Sequence, residues 1–232
     1  MNDVRALVLA AGKGQRMGTE QHKQFLEYHG KPLFLWSVLQ FLRCKIPVTL
    51  VTGEEDIEEM QRWIRKFETE LLKTGMELPQ VIRGGRERYE SSYRGLLHLK
   101  ADRDCEIVLI HDAARPFVTE ETIRSCVACV RACGSAVAAV PSKDTVKIAD
   151  SEGFVETTPP RENVYVIQTP QGFYLQELLE AYEKMLSGAS GAFSVTDDAS
   201  VLERAGNRKI KLFTADYGNI KITTPEDLVY LK

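Results

Sequence analysis

The residues best placed to do chemistry lie in a glycine-rich segment near the amino terminus. Gly12 and Gly14 follow a short apolar run, and Arg16 and Lys23 come soon after them. Glycines let backbone N–H groups approach an anion without interference from a Cβ atom, and the two cations add fixed positive charge. The segment therefore predicts a cradle for a polyphosphate.

Two familiar phosphate-binding motifs do not match this segment. A dinucleotide fingerprint needs a third glycine where this chain has Met17. A P-loop needs Gly-Lys-Ser or Gly-Lys-Thr after its first glycine, and neither tripeptide follows. The remaining pattern, Ala-Ala-Gly-x-Gly-x-Arg-Met with Lys-Gln beyond it, is typical of nucleotidylyltransferases.

A second candidate group follows the segment Glu106 to His111, which contains the apolar residues Ile-Val-Leu-Ile. Its unbroken apolar residues indicate a parallel strand that is buried on both faces. Ligands bind beyond the carboxyl ends of such strands, so Asp112 is expected where a metal-bound nucleotide would sit. The alternative is a capping aspartate with Arg115 as its surface partner. We interpret His111 as a structural, hydrogen-bonded residue rather than a base.

Three further segments have both a chemical and a structural interpretation. Gly84 and Gly85 read most simply as a tight turn, although the helix after them starts near Ser91, where free N–H groups could hold a ligand. Thr196 reads equally well as a helix cap. In the extended piece 219–223, alternation buries Ile220 and Ile222 and turns Asn219, Lys221 and Thr223 towards solvent or a cleft.

The elements that must position these residues alternate between strands and helices. We predict strands at 4–10, 47–52, 80–83, 106–111, 134–140, 165–171 and 210–215, and helices at 33–44, 54–73, 90–99, 119–132, 175–186 and 199–205. This alternation predicts an α/β fold with a mostly parallel sheet and helices on both faces. We expect one domain over residues 1–232.

An antiparallel hairpin at about 142–164 interrupts this alternation, with its turn at Asp150 to Gly153. Such an insertion is either a lid or an arm that embraces another subunit. Arg161 follows two prolines and is therefore presented rigidly near the return of the hairpin.

Composition limits the class of protein. The net charge of −3 and the scattered lysines and arginines give no footprint for nucleic acid. The chain has no apolar run long enough to span a bilayer and no room for a signal peptide, so we expect a cytoplasmic protein. Five cysteines argue against a disulfide framework. Cys126, Cys129 and Cys133 have metal-like spacing, but their helical pattern favours core packing, with Cys126 and Cys133 on one apolar face.

Several motifs occur in a set order across nearly the whole chain. They are Leu-Ala-Ala-Gly-Lys-Gly-Gln-Arg-Met, Lys-Gln-Phe-Leu, Gly-Gly-Arg-Glu-Arg, His-Asp-Ala-Ala-Arg-Pro, Lys-Asp-Thr-Val-Lys, Gln-Thr-Pro-Gln, Thr-Asp-Asp-Ala-Ser and Asn-Ile-Lys-Ile-Thr-x-Pro-Glu-Asp-Leu. Together they closely resemble the 2-C-methyl-D-erythritol 4-phosphate cytidylyltransferase family of the non-mevalonate isoprenoid pathway. The resemblance implies a Rossmann-like sheet.

The resemblance also implies a reaction. The phosphate of the polyol substrate attacks the α-phosphorus of CTP in line, and pyrophosphate leaves without a covalent enzyme intermediate. A phosphate is already ionised at neutral pH, which agrees with the lack of a convincing catalytic histidine. The family further implies Mg²⁺ or another divalent cation, and a homodimer in which the hairpin arm completes the site of the second subunit.

Site residues carried over from the family fall into three groups. Those expected to be catalytic are Arg16, Lys23 and Lys221. Those expected at the nucleotide are Ala10, Ala11, Gly12, Gly14, Gly85, Ser91 and Asp112, of which Asp112 is also the metal ligand. Those expected near the sugar phosphate are Arg115, Thr145, Arg161, Thr169 and Thr196.

Two residues differ from the usual pattern of the family, and two alternative functions remain. His22 precedes Lys23 where the family usually has proline, which raises the question of how rigid this loop is, and Ser92 stands where valine is common. The nearest alternative function is a cytidylyltransferase for ribitol 5-phosphate, because the two polyol phosphates offer similar groups. The other is a non-catalytic nucleotide-binding module.

Overall fold

The computed structural model describes residues 1–12, 22–191 and 193–231. Within these ranges the central sheet has seven strands. They are β1 (Val4–Leu9), β4 (Val48–Thr52), β5 (Gln80–Arg83), β6 (Ile107–Asp112), β7 (Ser135–Pro141), β10 (Tyr165–Tyr174) and β11 (Leu212–Thr214). Two small sheets pair β2 (Glu27–Tyr28) with β3 (Lys31–Pro32), and β8 (Ile148–Ala149) with β9 (Val155–Thr157).

Helices connect most of these strands. The α-helices are α1 (Leu33–Arg43), α2 (Ile57–Lys66), α3 (Glu68–Leu72), α4 (Arg88–Leu99), α5 (Glu120–Cys133), α6 (Leu175–Leu186) and α7 (Asp198–Arg204). Short 3-10 segments cover Lys23–Phe25, Glu54–Asp56, Arg161–Asn163 and Pro225–Leu231. No helix within the described ranges combines the length and the apolar character needed to cross a bilayer.

The strand order confirms the predicted α/β fold. It runs β11-β7-β10-β6-β1-β4-β5, and β10 is antiparallel to β6 and β7 while the other neighbouring pairs are parallel. Side chains of β1 alternate between two apolar cores. Ala6 and Val8 pack in the core that includes α1 and α5, whereas Leu7 and Leu9 pack in the core that includes α4, α6 and α7. Both faces of the sheet are thus covered.

The register of β1 and β6 brings the two most informative strand ends together. Leu9 is paired with Asp112, so the chain leaves β1 towards Gly12 beside the end of β6. Asp112 therefore lies beside the backbone that continues β1 towards Gly12.

Two predicted elements are wrong in their details. The helix expected at 54–73 is divided, because Phe67 leaves helical geometry at φ −107° and ψ 13° between α2 and α3. The extended piece 219–223 is not paired as a strand, so its side chains do not alternate. Asn219 is fully buried and Ile220 only half-buried, contrary to the expected pattern, while Ile222 is buried.

The cysteine helix α5 begins and ends as its sequence suggests. Thr119 Oγ1 accepts a hydrogen bond from the Thr122 N–H at 3.1 Å, and Gly134 ends the helix with φ 85°. Cys126 is fully buried, as core packing predicts. Cys133 is exposed at the last turn, so its predicted place on the apolar face is wrong.

The predicted hairpin is present as β8 and β9. Gly153 has φ 90°, which favours glycine, and the Asp150 N–H donates to the Phe154 carbonyl at 2.9 Å across the turn. The strands are exposed along their length, and 68% of Phe154 is accessible. An apolar side chain with this much exposed surface either stays in contact with water or is covered by a partner.

Candidate active site

A cavity of about 490 Å³ opens at the edge of the sheet where β1 and β6 end. This is the edge at which open parallel sheets bind ligands. Among its described lining residues, the charged side chains are Lys23, Arg86, Arg88 and Lys221 on the cationic side and Glu87 and Asp112 on the anionic side. The excess of positive charge suits an anionic ligand such as a polyphosphate.

The backbone of two loops forms one wall of the cavity. Ala10, Ala11 and Gly12 continue β1, and Gly85 faces them from the loop after β5. A Cβ atom on Gly85 would lie 2.2 Å from Glu90 Cβ, and one on Gly84 would lie 2.7 Å from Ser91 Oγ. The glycine pair therefore permits a close approach of backbone to helix α4, which an ordinary tight turn would not require.

Ser91 is a buried lining residue whose side chain contacts the loop after β5. Its Oγ accepts a hydrogen bond from the Gly85 N–H at 3.0 Å and donates one to the Glu87 carbonyl at 3.2 Å. The predicted free N–H at Ser91 is wrong, because α4 begins at Arg88 and the Ser91 N–H donates to the Glu87 carbonyl at 3.1 Å. Ser91 thus fixes the loop that carries Gly85.

Lys23 reaches the cavity from the 3-10 segment that follows His22. A Cβ atom on Gly12 would lie 3.8 Å from Lys23 Nζ, so the ammonium group is adjacent to the backbone that continues β1. His22 is held rather than loose, since its Nδ1 lies 2.8 Å from Asp56 Oδ2. The predictions for Gly14 and Arg16 lie outside the described residues.

Asp112 is the centre of a cluster of cations. Lys221 Nζ lies 2.7 Å from Asp112 Oδ2, Arg88 Nε lies 3.6 Å from Oδ1, and Arg115 Nε lies 3.9 Å from Oδ2. Burial by itself raises the pKa of Asp112, but the charges of Arg88, Lys221 and Arg115 outweigh it and lower the pKa well below its ordinary value. Asp112 is therefore an anion at neutral pH.

Arg88 bridges Asp112 to the start of α7. Its Nη1 lies 2.7 Å from Oδ2 of Asp198, which is fully buried and also accepts a hydrogen bond from Tyr182 Oη at 2.7 Å. Burial lowers the pKa of Arg88, but Asp198 and Asp112 more than compensate and raise it. Asp197 rather than Thr196 caps α7, accepting from the Ser200 N–H at 2.9 Å.

His111 is structural, in agreement with the interpretation from sequence. It is fully buried, its Nδ1 lies 2.9 Å from Thr169 Oγ1, and its Nε2 lies 3.2 Å from the Arg115 carbonyl. Burial lowers its pKa to about 4, so the ring is neutral at pH 7. Thr169 Oγ1 in turn accepts a hydrogen bond from the Asp112 N–H at 3.1 Å.

Arg115 and Asn219 tie the Asp112 strand end to the segment that carries Lys221. Arg115 Nη1 donates to the Asn219 carbonyl at 2.8 Å, and Asn219 Nδ2 donates to the Thr169 carbonyl at 2.8 Å. These bonds hold three separate parts of the chain against one another. Together with the bond from the Ile222 N–H to the Ala114 carbonyl at 2.8 Å, they hold the segment that carries Lys221 without a paired strand.

The structure separates the predicted site residues into those at the cavity and those away from it. Lys23, Lys221, Asp112, Ser91, Gly85, Gly12, Ala11 and Ala10 line it, and Arg115 and Thr169 contact Asp112 from behind. Thr145 and Arg161 are exposed on the arm, where Arg161 Nη2 donates to Thr145 Oγ1 at 3.0 Å. Thr196 lines a second cavity, of about 540 Å³, together with Asp197 and Glu203.

Sequence reasoning missed several residues that line the cavity or support it. They are Gln24, Arg86, Glu87 and Arg88 in the lining, with Asp198 behind it. Thr223, which was expected to face solvent or a cleft, also lines the cavity, and Asn219 lies buried behind it. The sequence contains a signal for Arg88, because the tripeptide Arg-Glu-Arg at residues 86–88 follows a glycine pair and leads into a helix. No local pattern could have shown that Asp198, more than a hundred residues later, is its partner.

Comparisons with known proteins match the chain over this whole arrangement. Residues 4–232 match the family model described as 2-C-methyl-D-erythritol 4-phosphate cytidylyltransferase. A protein of that name from Clostridium botulinum (strain Eklund 17B / Type B) is 39% identical over 228 residues, covering 97% of this chain and 96% of the relative. Another, from Microcystis aeruginosa, is 40% identical over 224 residues, covering 96% and 94%.

Two solved structures resemble the fold. The 4-diphosphocytidyl-2C-methyl-D-erythritol synthase from Anaerococcus prevotii has a TM-score of 0.80 and 33% identity, and the match covers 98% of this chain and 93% of that one. The 2-C-methyl-D-erythritol 4-phosphate cytidylyltransferase from Thermus thermophilus has a TM-score of 0.72 and 27% identity, with 99% and 97% covered. The matches therefore extend over strands, arm and cavity together.

Proposed function

The chain belongs to the 2-C-methyl-D-erythritol 4-phosphate cytidylyltransferase family, and from this premise we propose how its cavity performs the family's reaction. The enzyme transfers CMP from CTP to 2-C-methyl-D-erythritol 4-phosphate, which gives 4-diphosphocytidyl-2-C-methyl-D-erythritol and pyrophosphate. The observation that carries this conclusion is the family match over residues 4–232, in a chain whose strand-end cavity contains Lys23, Lys221 and Asp112.

The transfer is a direct, in-line displacement. An oxygen of the polyol phosphate forms a bond to the α-phosphorus of CTP, while the bond from that phosphorus to the bridging oxygen breaks and pyrophosphate leaves with the electron pair. The attacking phosphate is already ionised at neutral pH, so no residue needs to remove a proton. The neutral, doubly hydrogen-bonded His111 supports this proposal, because it is not available as a general base.

Lys23 and Lys221 neutralise the charge that develops on the reacting phosphates. Fixed cations in a cavity that excludes water stabilise such charge strongly and need no reorganisation during the reaction. Lys23 approaches from the side of the β1 loop and Lys221 from the side of Asp112. Arg16 is proposed for the same task on the strength of its position in the glycine-rich segment.

The wall formed by Ala10, Ala11, Gly12, Gly85 and Ser91 holds the cytidine. Its backbone groups and the Ser91 side chain can recognise a base by hydrogen bonds. The family's description as a cytidylyltransferase supports cytosine as that base.

Asp112 fits a role as a magnesium ligand. Mg²⁺ is usually held by one or two carboxylates together with substrate phosphates. Among the residues that the structure describes, no group of three or more His, Cys, Asp or Glu side chains could hold a metal, so Asp112 would act with the triphosphate. When bound, the ion would neutralise phosphate charge. Asp112→Asn should raise the Mg²⁺ concentration needed for half-maximal CTP binding, measured by calorimetry, and an unchanged value would exclude Asp112 as a ligand.

The arm makes the enzyme a homodimer with shared sites. Thr145 and Arg161 lie on the exposed arm and not in the lining of their own chain's cavity, so they are proposed to reach the polyol phosphate in the partner. Apolar side chains exposed on and beside the arm support a second copy as the cover. They are Val146, Ile148, Phe154, Val155, Tyr165 and Val166. Arg115, Thr169 and Thr196 are proposed to contact the same substrate or its surroundings.

The cytoplasm is the proposed location. The five cysteines are all free thiols, and free thiols suit a reducing compartment.

A direct assay tests the function. CTP is supplied with 2-C-methyl-D-erythritol 4-phosphate or with ribitol 5-phosphate, and pyrophosphate release is followed. We expect faster turnover with the methylerythritol substrate, because the relatives at 38–40% identity are named for it. Faster turnover of ribitol phosphate would overturn the assignment, and tight CTP binding without turnover of either would favour a non-catalytic module.

A further inference from the structure

The position of Lys23 depends on a short segment with little regular structure. The segment Lys23–Phe25 is one 3-10 turn, and His22 before it has extended geometry at φ −63° and ψ 135°. Phe25 anchors one end, since it is buried and packs edge-on against Phe34 with ring centroids 6.1 Å apart. A lysine side chain has four flexible carbons, so the backbone that carries it must be held if the ammonium group is to be positioned.

A single buried carboxylate holds the residues on both sides of Lys23. Asp56 Oδ1 and Oδ2 lie 2.9 and 2.8 Å from His22 Nδ1. Asp56 Oδ2 also accepts a hydrogen bond from Gln24 Nε2 at 2.9 Å, and the Gln24 side chain is itself buried. Two contacts to one anion from residues 22 and 24 fix the direction in which residue 23 points.

Asp56 is not among the described lining residues of the cavity. It lies just before α2 and is 7% exposed, yet its side chain makes no capping hydrogen bond to that helix. Aspartate at a helix start usually accepts from the first free N–H groups. Here the carboxylate is directed instead to His22 and Gln24.

We propose that Asp56 is a positioning residue for cytidylyl transfer, which holds Lys23 against the glycine-rich backbone through His22 and Gln24. The proposal rests on the proposed role of Lys23 at the triphosphate. A displacement of about 1 Å at a reacting group can cost about a hundredfold in rate even when the change lies away from the chemistry. Loss of the Asp56 contacts should therefore act on catalysis and on CTP binding.

The test compares Asp56→Ala and the nearly isosteric Asp56→Asn with a matched control. Asp102→Asn removes a carboxylate whose Oδ2 lies 2.6 Å from Arg5 Nε, outside the lining of the cavity. We expect kcat to fall at least tenfold in Asp56→Ala and less in Asp56→Asn, and the Kd of CTP to rise severalfold. Asp102→Asn should keep wild-type kcat and Kd, even if its melting temperature falls.

A rescue experiment separates positioning from a general loss of structure. The φ of His22, −63°, is the value to which proline is restricted, so His22→Pro can stiffen this point without the carboxylate. We expect His22→Pro in the Asp56→Asn background to recover most of the lost kcat. Wild-type kcat and CTP affinity in Asp56→Ala would overturn the proposal, as would equal losses in Asp56→Asn and Asp102→Asn.

A wrong assignment of the reaction would be recognised separately, from the activity of the wild-type enzyme. If the wild-type enzyme released no pyrophosphate with either polyol phosphate, the reaction assignment would be wrong. The CTP Kd of Asp56→Ala against that of Asp102→Asn would still decide whether Asp56 holds the Lys23 segment.

Discussion

Lys221 Nζ lies 2.7 Å from Asp112 Oδ2, so a proposed catalytic cation and a proposed metal ligand form an ion pair in this structure. Lys221 comes from the unpaired segment after β11, and Asp112 ends β6. Their contact connects two parts of the chain that are distant in sequence, and it explains why the carboxylate is anionic and the lysine directed into the cavity. Loss of Lys221 should lower the rate of transfer, whereas loss of Asp112 should weaken the Mg²⁺-dependent binding of CTP.

Loss of either proposed catalytic lysine should abolish most turnover. Lys221→Ala and Lys23→Ala should each reduce kcat at least about a hundredfold, because removing one transition-state charge typically costs about 3–4 kcal/mol. Steady-state pyrophosphate release measures the effect. Lys73→Ala, at an exposed position away from the cavity, is the control and should leave the rate unchanged. Near-wild-type rates in both active-site variants would contradict the proposed site.

Arg88 should prove essential for stability as well as for the shape of the cavity. Arg88→Met leaves Asp198 buried beside Tyr182 without a cation, and breaking a buried pair in this way typically costs about 3–5 kcal/mol of unfolding free energy. Adding Asp198→Asn should recover much of that loss, because the uncompensated charge is then gone. Urea unfolding of the single and double variants measures both values.

The control for this experiment is an ion pair of the same kind at the surface. Arg83 Nη2 lies 2.9 Å from Glu54 Oε2, and both side chains are more than half exposed. Arg83→Met should change stability by no more than about 1 kcal/mol. Equal losses of unfolding free energy in Arg83→Met and Arg88→Met would show that the loss at Arg88 does not come from leaving the buried Asp198 carboxylate without a cation.

His111 should make the enzyme less stable in mild acid. Its pKa is lowered from 6.5 to about 4 by burial, so the folded protein keeps the ring neutral while the unfolded chain binds a proton below pH 6.5. Stability should therefore fall as the pH is lowered from 6.5 towards 4, by up to about 1.4 kcal/mol per pH unit from this residue.

The variant His111→Gln removes the titrating group and tests this account. Urea unfolding between pH 7 and pH 4.5 should give a shallower pH dependence for the variant than for the wild type, even if the variant is less stable at pH 7. Parallel curves would mean that His111 does not contribute.

The proposed sharing of sites between two subunits predicts complementation between two impaired proteins. Arg161→Ala should weaken binding of the polyol phosphate, and Lys23→Ala should block turnover. In a mixed dimer, one of the two cavities has an intact Lys23 from its own chain and an intact Arg161 from the partner. Co-expression with two affinity tags should therefore recover part of the activity, whereas confirmed mixed dimers without activity would indicate an arm that serves its own subunit.

Local sequence patterns predicted much of the fold and part of the site. The apolar runs 4–10 and 106–111 predicted the two neighbouring strands, and the glycines near residue 12 predicted an anion site at their ends. The strand predictions succeeded because strand burial is a property of short segments, whereas the anion site stays a prediction. The predictions for Asn219 and Cys133 failed, because neighbours from other parts of the chain decide which side chains are buried. The cap of α7 differs by one residue, since Asp197 and not Thr196 accepts from the Ser200 N–H.

By itself the sequence determined the α/β class, the family and three of the charged groups that line the described cavity, Lys23, Asp112 and Lys221. The tertiary structure decided which of those groups meet: Asp112 with Lys221, Arg88 with Asp198, and Asp56 with the segment that carries Lys23. The physical reason is that a local pattern specifies what a segment can form, whereas an ion pair between distant segments depends on how strand order and register bring their ends together.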